Sequence, residues 1–172
     1  QETATAVSIF GGAGLDSITF EKALSGSNNI STNSGNDSLR FVSSADGVTA
    51  DMGAGADYVS AANLIQAGSS ISGGAGADTF VISTLSNSVI KGGSDSDSVN
   101  MTGGLYGSTV DFGAGDESFT LSVIAKGSSI LGGTDNDTFV VNTAAALTTT
   151  SLSGGSGNDS ISFAQTLSGS NV

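Results

Sequence analysis

Acidic side chains recur along this chain at nearly constant intervals, and they are the residues best suited to chemistry. Eight of them, here called the closing acids, follow one another at spacings of 19 to 22 residues: Asp16, Asp37, Asp57, Asp78, Asp97, Glu117, Asp137 and Asp159. Carboxylates are the preferred ligands of hard cations such as calcium. A repeated series of them predicts a row of cation sites, because a catalytic pair would occur once.

Each closing acid ends a glycine-rich turn, most clearly in residues 11–16, 73–78 and 154–159. Glycine reaches backbone conformations closed to other residues and so frees carbonyl groups to face a ligand. Asn33, which replaces a glycine in the second and poorest copy, can adopt the same left-handed conformation. The sequence predicts these metal-site residues: Gly12, Gly14, Asp16, Gly35, Asp37, Gly53, Gly55, Asp57, Gly74, Gly76, Asp78, Gly93, Asp95, Asp97, Gly113, Gly115, Glu117, Gly133, Asp135, Asp137, Gly155, Gly157 and Asp159.

Apolar residues hold fixed positions relative to the closing acid. In every repeat the residues two and four positions after the closing acid are apolar, as in Phe80 and Ile82. The residue seven positions before it is apolar as well, as in Ile71. The alternation predicts two short strands per repeat, each with one buried face. Repeat length varies only in the remaining arc, so the turn edge is expected to keep strict register.

A unit of about 20 residues cannot bury its own apolar face, but stacked copies can. The sequence therefore predicts an all-β fold, a parallel β-solenoid of about eight coils with about 20 residues per coil, spanning roughly 38 Å at one 4.8 Å rung per coil. Residues 1–172 are expected to form a single domain. Val172 stands where a ninth turn would begin, which predicts one segment of a longer or self-assembling structure. Small polar residues before the pre-turn strand, as in residues 68–70, are expected to face outward and to bond along the stack.

Composition excludes several classes of function. The chain has no Cys and no His, which removes thiolate metal sites and the commonest general base. Its formal net charge is −12 with four Lys and Arg, which argues against nucleic acid and against an anionic membrane surface as partners. The chain contains no run of 18 apolar residues, so no membrane-inserted segment is expected.

Stacking would place the closing acids roughly 5 Å apart, where like charges repel. A divalent cation between successive turns would relieve this repulsion. Calcium accepts six to eight oxygens, carbonyls included. About seven Ca²⁺ ions in one column along the turn edge are therefore expected as the cofactor of the fold, and fewer if irregular turns such as residues 32–37 and 112–117 do not bind one.

The turns resemble the Gly-Gly-x-Gly-x-Asp-x-U-x nonapeptide of RTX proteins, which residues 11–19, 73–81 and 154–162 match at every position. The resemblance implies calcium-dependent folding, secretion and a bacterial cell-surface or extracellular setting. RTX rolls place nonapeptides in tandem and bind calcium at both edges. Here a longer arc follows each motif, so one edge is expected to bind calcium, as in surface-layer and adhesin solenoids.

Three functions remain open at this point. The first is a structural protein of a surface layer, filament or adhesin stalk, whose partner is the chain itself through end-to-end or lateral assembly. The second is a module that binds polysaccharide, such as that of a cell surface, or ice through rows of Ser and Thr. The third is an enzyme with Asp95/Asp97 or Asp135/Asp137 as acid and base. The repetition of these pairs argues against the third, so the chain is expected not to be an enzyme.

Overall fold

The computed structural model describes residues 4–142 and 147–164, which contain 21 β-strands and no helix. In chain order the strands are β1 (Ala4–Thr5), β2 (Ser8–Ala13), β3 (Ser17–Phe20), β4 (Leu24–Ser25), β5 (Asn28–Ser34), β6 (Ser38–Phe41), β7 (Ala45–Asp46), β8 (Val48–Ala54), β9 (Tyr58–Gln66), β10 (Ser70–Ala75), β11 (Thr79–Ser86), β12 (Val89–Ser94), β13 (Ser98–Met101), β14 (Leu105–Tyr106), β15 (Thr109–Ala114), β16 (Ser118–Leu121), β17 (Ala125–Lys126), β18 (Ser129–Thr134), β19 (Thr138–Val141), β20 (Ser151–Ser156) and β21 (Ser160–Phe163).

Two parallel sheets run the length of the stack. The pre-turn sheet has eight strands in the order β2-β5-β8-β10-β12-β15-β18-β20, and the post-turn sheet has the other thirteen. Each strand pairs with its counterpart about 20 residues away, for example Ile71 with Ile90 and Phe80 with Val99. The predicted parallel β-solenoid of about eight coils is confirmed.

The first six coils contain more strand than the sequence predicted. A short third strand forms in the arc, as β4, β7, β14 and β17, and it joins the post-turn sheet; in β9 and β11 the arc and post-turn strands are continuous. The register between β9 and β11 shifts between Ile82 and Thr84, where the arc begins. The extra residue of one coil is absorbed there, so the turn segment keeps its pairing as predicted.

The core consists of stacked apolar columns between the two sheets. The three predicted columns are buried in the inner coils, for example Phe80 and Ile82 at 0 % exposure and Ile71 at 0 %. The arc adds a fourth column that the sequence analysis missed: Leu24, Ala45, Ile65, Leu85, Leu105 and Ala125. It stands eight residues after the closing acid in five of these coils and seven residues after it at Leu85, beyond the period-two run that marks the post-turn strand.

Buried hydroxyls close the edge opposite the turns. The Ser69, Ser88, Ser108 and Ser128 side chains each accept a hydrogen bond from a backbone N–H of the preceding coil, at 3.1 to 3.3 Å. The expectation of outward positions holds for Ser70, which is partly exposed, but not for Ser69, which is 1 % exposed and whose buried hydroxyl makes the bond along the stack. At this edge the protein supplies its own hydrogen-bond partners.

Within the described ranges no helix is long and apolar enough to cross a membrane. The predicted ninth turn at Val172 lies outside the described residues.

Candidate metal centre

The closing acids form one column along the edge between the two sheets. The ladders on both sides of each turn are in register, as shown by Gly74 opposite Gly93 and Thr79 opposite Ser98. Position numbers below count from the closing acid, so Gly73 is at position −5 and Gly74 at −4 of the turn closed by Asp78. Every residue of the predicted metal site lies in the described part of the chain and on this edge.

In each closing acid after Asp16, one carboxylate oxygen holds the preceding coil. Asp78 Oδ1 accepts the backbone N–H of Asp57 at 2.8 Å, and Asp97 Oδ1 accepts that of Asp78 at 2.8 Å. In the sixth coil Glu117 Oε2 accepts the N–H of Asp97 at 3.1 Å. The same bond recurs from Asp16 to Asp159, so the column is a continuous hydrogen-bonded ladder.

The second oxygen of these carboxylates is buried and has no hydrogen-bond donor. This holds for seven acids of the column: Asp16, Asp37, Asp57, Asp78, Asp97, Glu117 and Asp137. From Asp37 to Asp137 the side chains are only 1 to 3 % exposed. Burying a carboxylate oxygen without a donor destabilises the folded state, because the oxygen loses its hydrogen bonds to water and no protein donor replaces them. Seven of them in one row indicate that a positively charged partner belongs there.

Burial makes five acids of the row, from Asp57 to Asp137, hard to ionise when no cation is bound. Loss of solvent raises the pKa of Asp97 and Glu117 to about 7 and that of Asp78 to about 6, partly offset by the backbone N–H bond and reinforced by the neighbouring acids. The pKa values of Asp57 and Asp137 are raised by the same causes in the same order. A raised pKa is what carboxylates show when they are buried close to one another with no positive charge nearby.

Two glycine positions are explained by backbone conformation. At −4 and −2 the φ angle is positive, for example 113° at Gly74 and 112° at Gly76. Asn33 takes the −4 position of the second coil with φ of 67°, as the sequence predicted. Asp95 and Asp135 take the −2 position with φ of 74° and 80°.

Asp95 and Asp135 differ from the closing acids in their surroundings. Both are exposed, and neither contributes an unpartnered buried oxygen. Asp95 Oδ2 accepts the N–H of Gly76 at 3.1 Å, and Asp135 Oδ2 accepts the hydroxyl of Thr134 at 3.0 Å. These two predicted ligands therefore lie on the turn edge, but their carboxylates are outside the buried row.

The glycine at −5 was not among the predicted site residues, yet it lies against the free carboxylate oxygen. A Cβ built on any of five such glycines would overlap the Oδ2 atom of its own closing acid: Gly11, Gly73, Gly92, Gly132 and Gly154. None of the five has a φ in the left-handed region. Space for the carboxylate, not backbone freedom, accounts for glycine here.

A second oxygen points into the same space. A Cβ on Gly92 would stand 2.7 Å from the carbonyl oxygen of Phe112, the −5 residue of the next coil. The carbonyl oxygen of Gly154 lies equally close over Gly132. We call these two atoms, the free carboxylate oxygen and the −5 carbonyl of the next coil, the oxygen pair.

This donor set fits calcium. In the described parts of the chain no three acidic side chains come together as a metal cluster, so a cation here must draw on one carboxylate and on backbone carbonyls. Calcium accepts such mixed oxygen ligands in flexible geometry, whereas magnesium demands a strict octahedron and gives up water reluctantly. Bound calcium would supply the positive charge that the buried row lacks.

The comparison with protein families identifies the same turns. The profile of the RTX calcium-binding nonapeptide repeat (4 copies) matches residues 23–40, 69–81 and 151–163. Two of these segments contain complete motifs recognised in the sequence, and the third contains the irregular turn at Asp37. No curated protein and no solved structure matches the chain.

Proposed function

Because the chain carries RTX-type calcium-binding repeats in a β-solenoid, we propose that it is a calcium-ordered extracellular structural protein, which builds a bacterial surface layer, filament or adhesin stalk. RTX repeat proteins are typically secreted, which supports the extracellular setting. In this proposal the chain performs no catalysis, and Ca²⁺ is a component of its architecture.

The observation that carries this proposal is the row of seven buried carboxylate oxygens without a donor. Calcium bound there would neutralise charges that burial and mutual repulsion destabilise. It would also link each coil to the next, since the oxygen pair over Gly92 joins Asp97 to the carbonyl of Phe112. Binding and folding are then one process, because the unfolded chain has no such site.

Regular parallel stacking supports the structural role. Each coil adds the same rung to both sheets, and stability in such arrays grows with each neighbour. Large apolar side chains are exposed on the first coil, Phe10 at 69 % and Leu15 at 82 %, and they offer a contact surface for assembly. The proposed partner is another copy of the chain.

The test is to compare the chain in calcium, in magnesium and in chelator. We expect a β-strand circular dichroism spectrum with millimolar calcium, and a weaker strand signal with a lower melting temperature in chelator or magnesium. Electron microscopy and light scattering with calcium should then reveal ordered assemblies. An identical spectrum in chelator would contradict the role of calcium, and a monodisperse monomer at millimolar calcium would contradict assembly.

One observation favours the second candidate function, polysaccharide or ice binding. Every coil carries a hydroxyl one residue after the closing acid, on the outer face of the post-turn sheet: Ser17, Ser38, Tyr58, Thr79, Ser98, Ser118, Thr138 and Ser160. A regular hydroxyl row spaced by one strand separation can match an ordered polar surface. Glycan-array binding or thermal hysteresis that is lost on replacing Thr79 and Ser98 by Ala would support this function over a purely structural one.

A further inference from the structure

The turns differ at position −5, where three coils carry a side chain in place of glycine. These are Thr32 in the second coil, Met52 in the third and Phe112 in the sixth, and all three are 0 % exposed. Since a Cβ at −5 would overlap the carboxylate oxygen in the glycine-bearing turns, the two arrangements are mutually exclusive. The eight turns therefore fall into two kinds.

In the second coil the hydroxyl of Thr32 occupies the space at position −5 that glycine leaves open in other turns. Thr32 Oγ1 donates a hydrogen bond of 2.6 Å to the carbonyl oxygen of Met52. Met52 is the −5 residue of the next coil, so this carbonyl corresponds to that of Phe112 over Gly92 and that of Gly154 over Gly132. Thr32 thus gives the carbonyl a donor from the protein, whereas at Gly92 and Gly132 the corresponding carbonyl faces a bare carboxylate oxygen.

In the sixth coil an aromatic ring fills the space. Phe112 packs against Phe119 and Phe139 with ring centroids 6.2 Å apart in each case. The closing acid of this coil is Glu117, whose longer side chain places Oε1 2.6 Å from where a Cβ of Gly115 would stand, at position −2. The free carboxylate oxygen has moved away from −5, so the oxygen pair does not form in this turn.

The free carboxylate oxygen alone does not separate the two kinds of turn, because Asp37, Asp57 and Glu117 retain one as well. What separates them is the open space at −5 and the carbonyl that faces it. We infer that the residue at −5 selects which turns hold calcium: glycine leaves the oxygen pair open to the ion, Thr32 replaces the ion with its hydroxyl, and Met52 and Phe112 fill the space. This inference rests on the proposed calcium binding and predicts fewer ions than the seven expected from the sequence.

Counting bound calcium in variants of the second coil tests the inference. We would measure calcium per chain by equilibrium dialysis with radioactive calcium chloride at saturating concentration, with circular dichroism to verify folding. Thr32→Gly opens the space and should bind about one ion more than the wild type. Thr32→Val removes the hydroxyl but keeps the volume, and should bind the same number as the wild type.

The reverse change closes an open turn. Gly92→Thr copies the second coil into the fifth and should fold in calcium with about one ion fewer than the wild type. A folded Thr32→Gly chain with an unchanged count, or a folded Gly92→Thr chain that keeps its ion, would overturn the inference. Failure of either variant to fold in calcium would also count against it, since the inference requires ion and hydroxyl to replace one another. A wild-type chain that binds no calcium would instead contradict the proposed function.

Discussion

At the scale of single residues, each closing acid performs two tasks with its two oxygens. Asp97 Oδ1 accepts the amide of the preceding coil, while Asp97 Oδ2 faces the carbonyl of the next without a donor. The first contact does not require a charged acceptor, because an uncharged carbonyl oxygen could accept the same N–H. The second leaves a buried oxygen without a partner, which a bound cation or a proton would supply. A substitution that keeps the first oxygen and changes the second separates the two tasks.

Asp97→Asn is such a substitution. The amide oxygen can still accept the N–H of Asp78, and the amide nitrogen gives the carbonyl of Phe112 a donor. We expect the free energy of unfolding in chelator to rise by ~1–3 kcal/mol, because a buried charge without a partner is removed. In calcium the variant should bind about one ion fewer and lose its advantage.

Calcium titration and urea unfolding, each with and without chelator, would measure these two effects. Asp51→Asn is the matched control, since Asp51 is an exposed carboxylate outside the row and should change neither quantity. Weaker folding of Asp97→Asn in chelator would show that the ionised carboxylate stabilises the stack even without metal.

The closing acids and the glycines at −4 and −2 could be predicted from the sequence, because acid and glycine recur at fixed spacing. The role of the −5 glycine could not, since it depends on where the carboxylate of Asp78 lies over Gly73. A signal was present, however: Thr32, Met52 and Phe112 replace this glycine, and the only Glu among the closing acids accompanies Phe112. The exposure of Asp95 and Asp135 likewise required the structure.

At the scale of elements, turn and arc follow different rules. The turn is bounded on both sides by ladders in register, whereas the arc of β9 absorbs an extra residue between Ala61 and Leu64, opposite Ile82 and Thr84. Apolar positions near the turn alternate with period two, so a shift by one residue would reverse inside and outside. The arc contributes one buried residue per coil, so a change in its backbone path should affect core packing less than the same change in the turn.

Single-residue insertions test this difference. One Ala inserted after Ser83 lengthens the arc and should cost under ~1 kcal/mol of unfolding free energy in calcium, because loop closure depends weakly on length. One Ala inserted after Ala77 displaces Asp78 from the Asp57 amide and turns Phe80 out of the core, at a cost of roughly 3 kcal/mol or more. Thermal unfolding in calcium would measure both, and equal losses would show that the arc is as constrained as the turn.

Most of the fold could be predicted, because apolar residues that alternate with period two and recur in eight repeats can all be buried when the repeats stack in parallel. The short arc strands escaped prediction because their single buried residue, such as Leu85 or Leu105, stands seven or eight residues after the closing acid with no period-two apolar run beside it. The buried hydroxyl row escaped for another reason. A Ser such as Ser88 has no apolar character, and its burial becomes visible only with the N–H that it accepts.

At the scale of the whole molecule, the column sets how stability depends on pH. Without calcium the folded state raises the pKa of Asp78 to about 6 and of Asp97 and Glu117 to about 7, from ordinary values of 3.8 and 4.5. The folded chain thus binds protons more tightly than the unfolded chain. This stabilisation is complete below the unfolded pKa values and is lost as pH rises through 6 to 7.

In chelator we therefore expect the melting temperature to fall between pH 5 and pH 8, by about 5–10 °C for a loss of a few kcal/mol. In calcium the trend should reverse, because protonation below about pH 6 competes with the ion for the same oxygens. Differential scanning calorimetry in both buffers would measure the two slopes. Parallel slopes with and without calcium would show that ion and protons occupy different groups.

The amide-to-carboxylate ladder also gives the solenoid a polarity. Each closing acid passes its N–H forward to the next coil and receives one from the coil behind, from Asp16 to Asp159. A coil joined to either end, whatever its source, must point the same way to continue this exchange. Copies that met with opposed directions would break it, so end-to-end contact that continues the ladder generates open, directional fibres and not a closed symmetric pair.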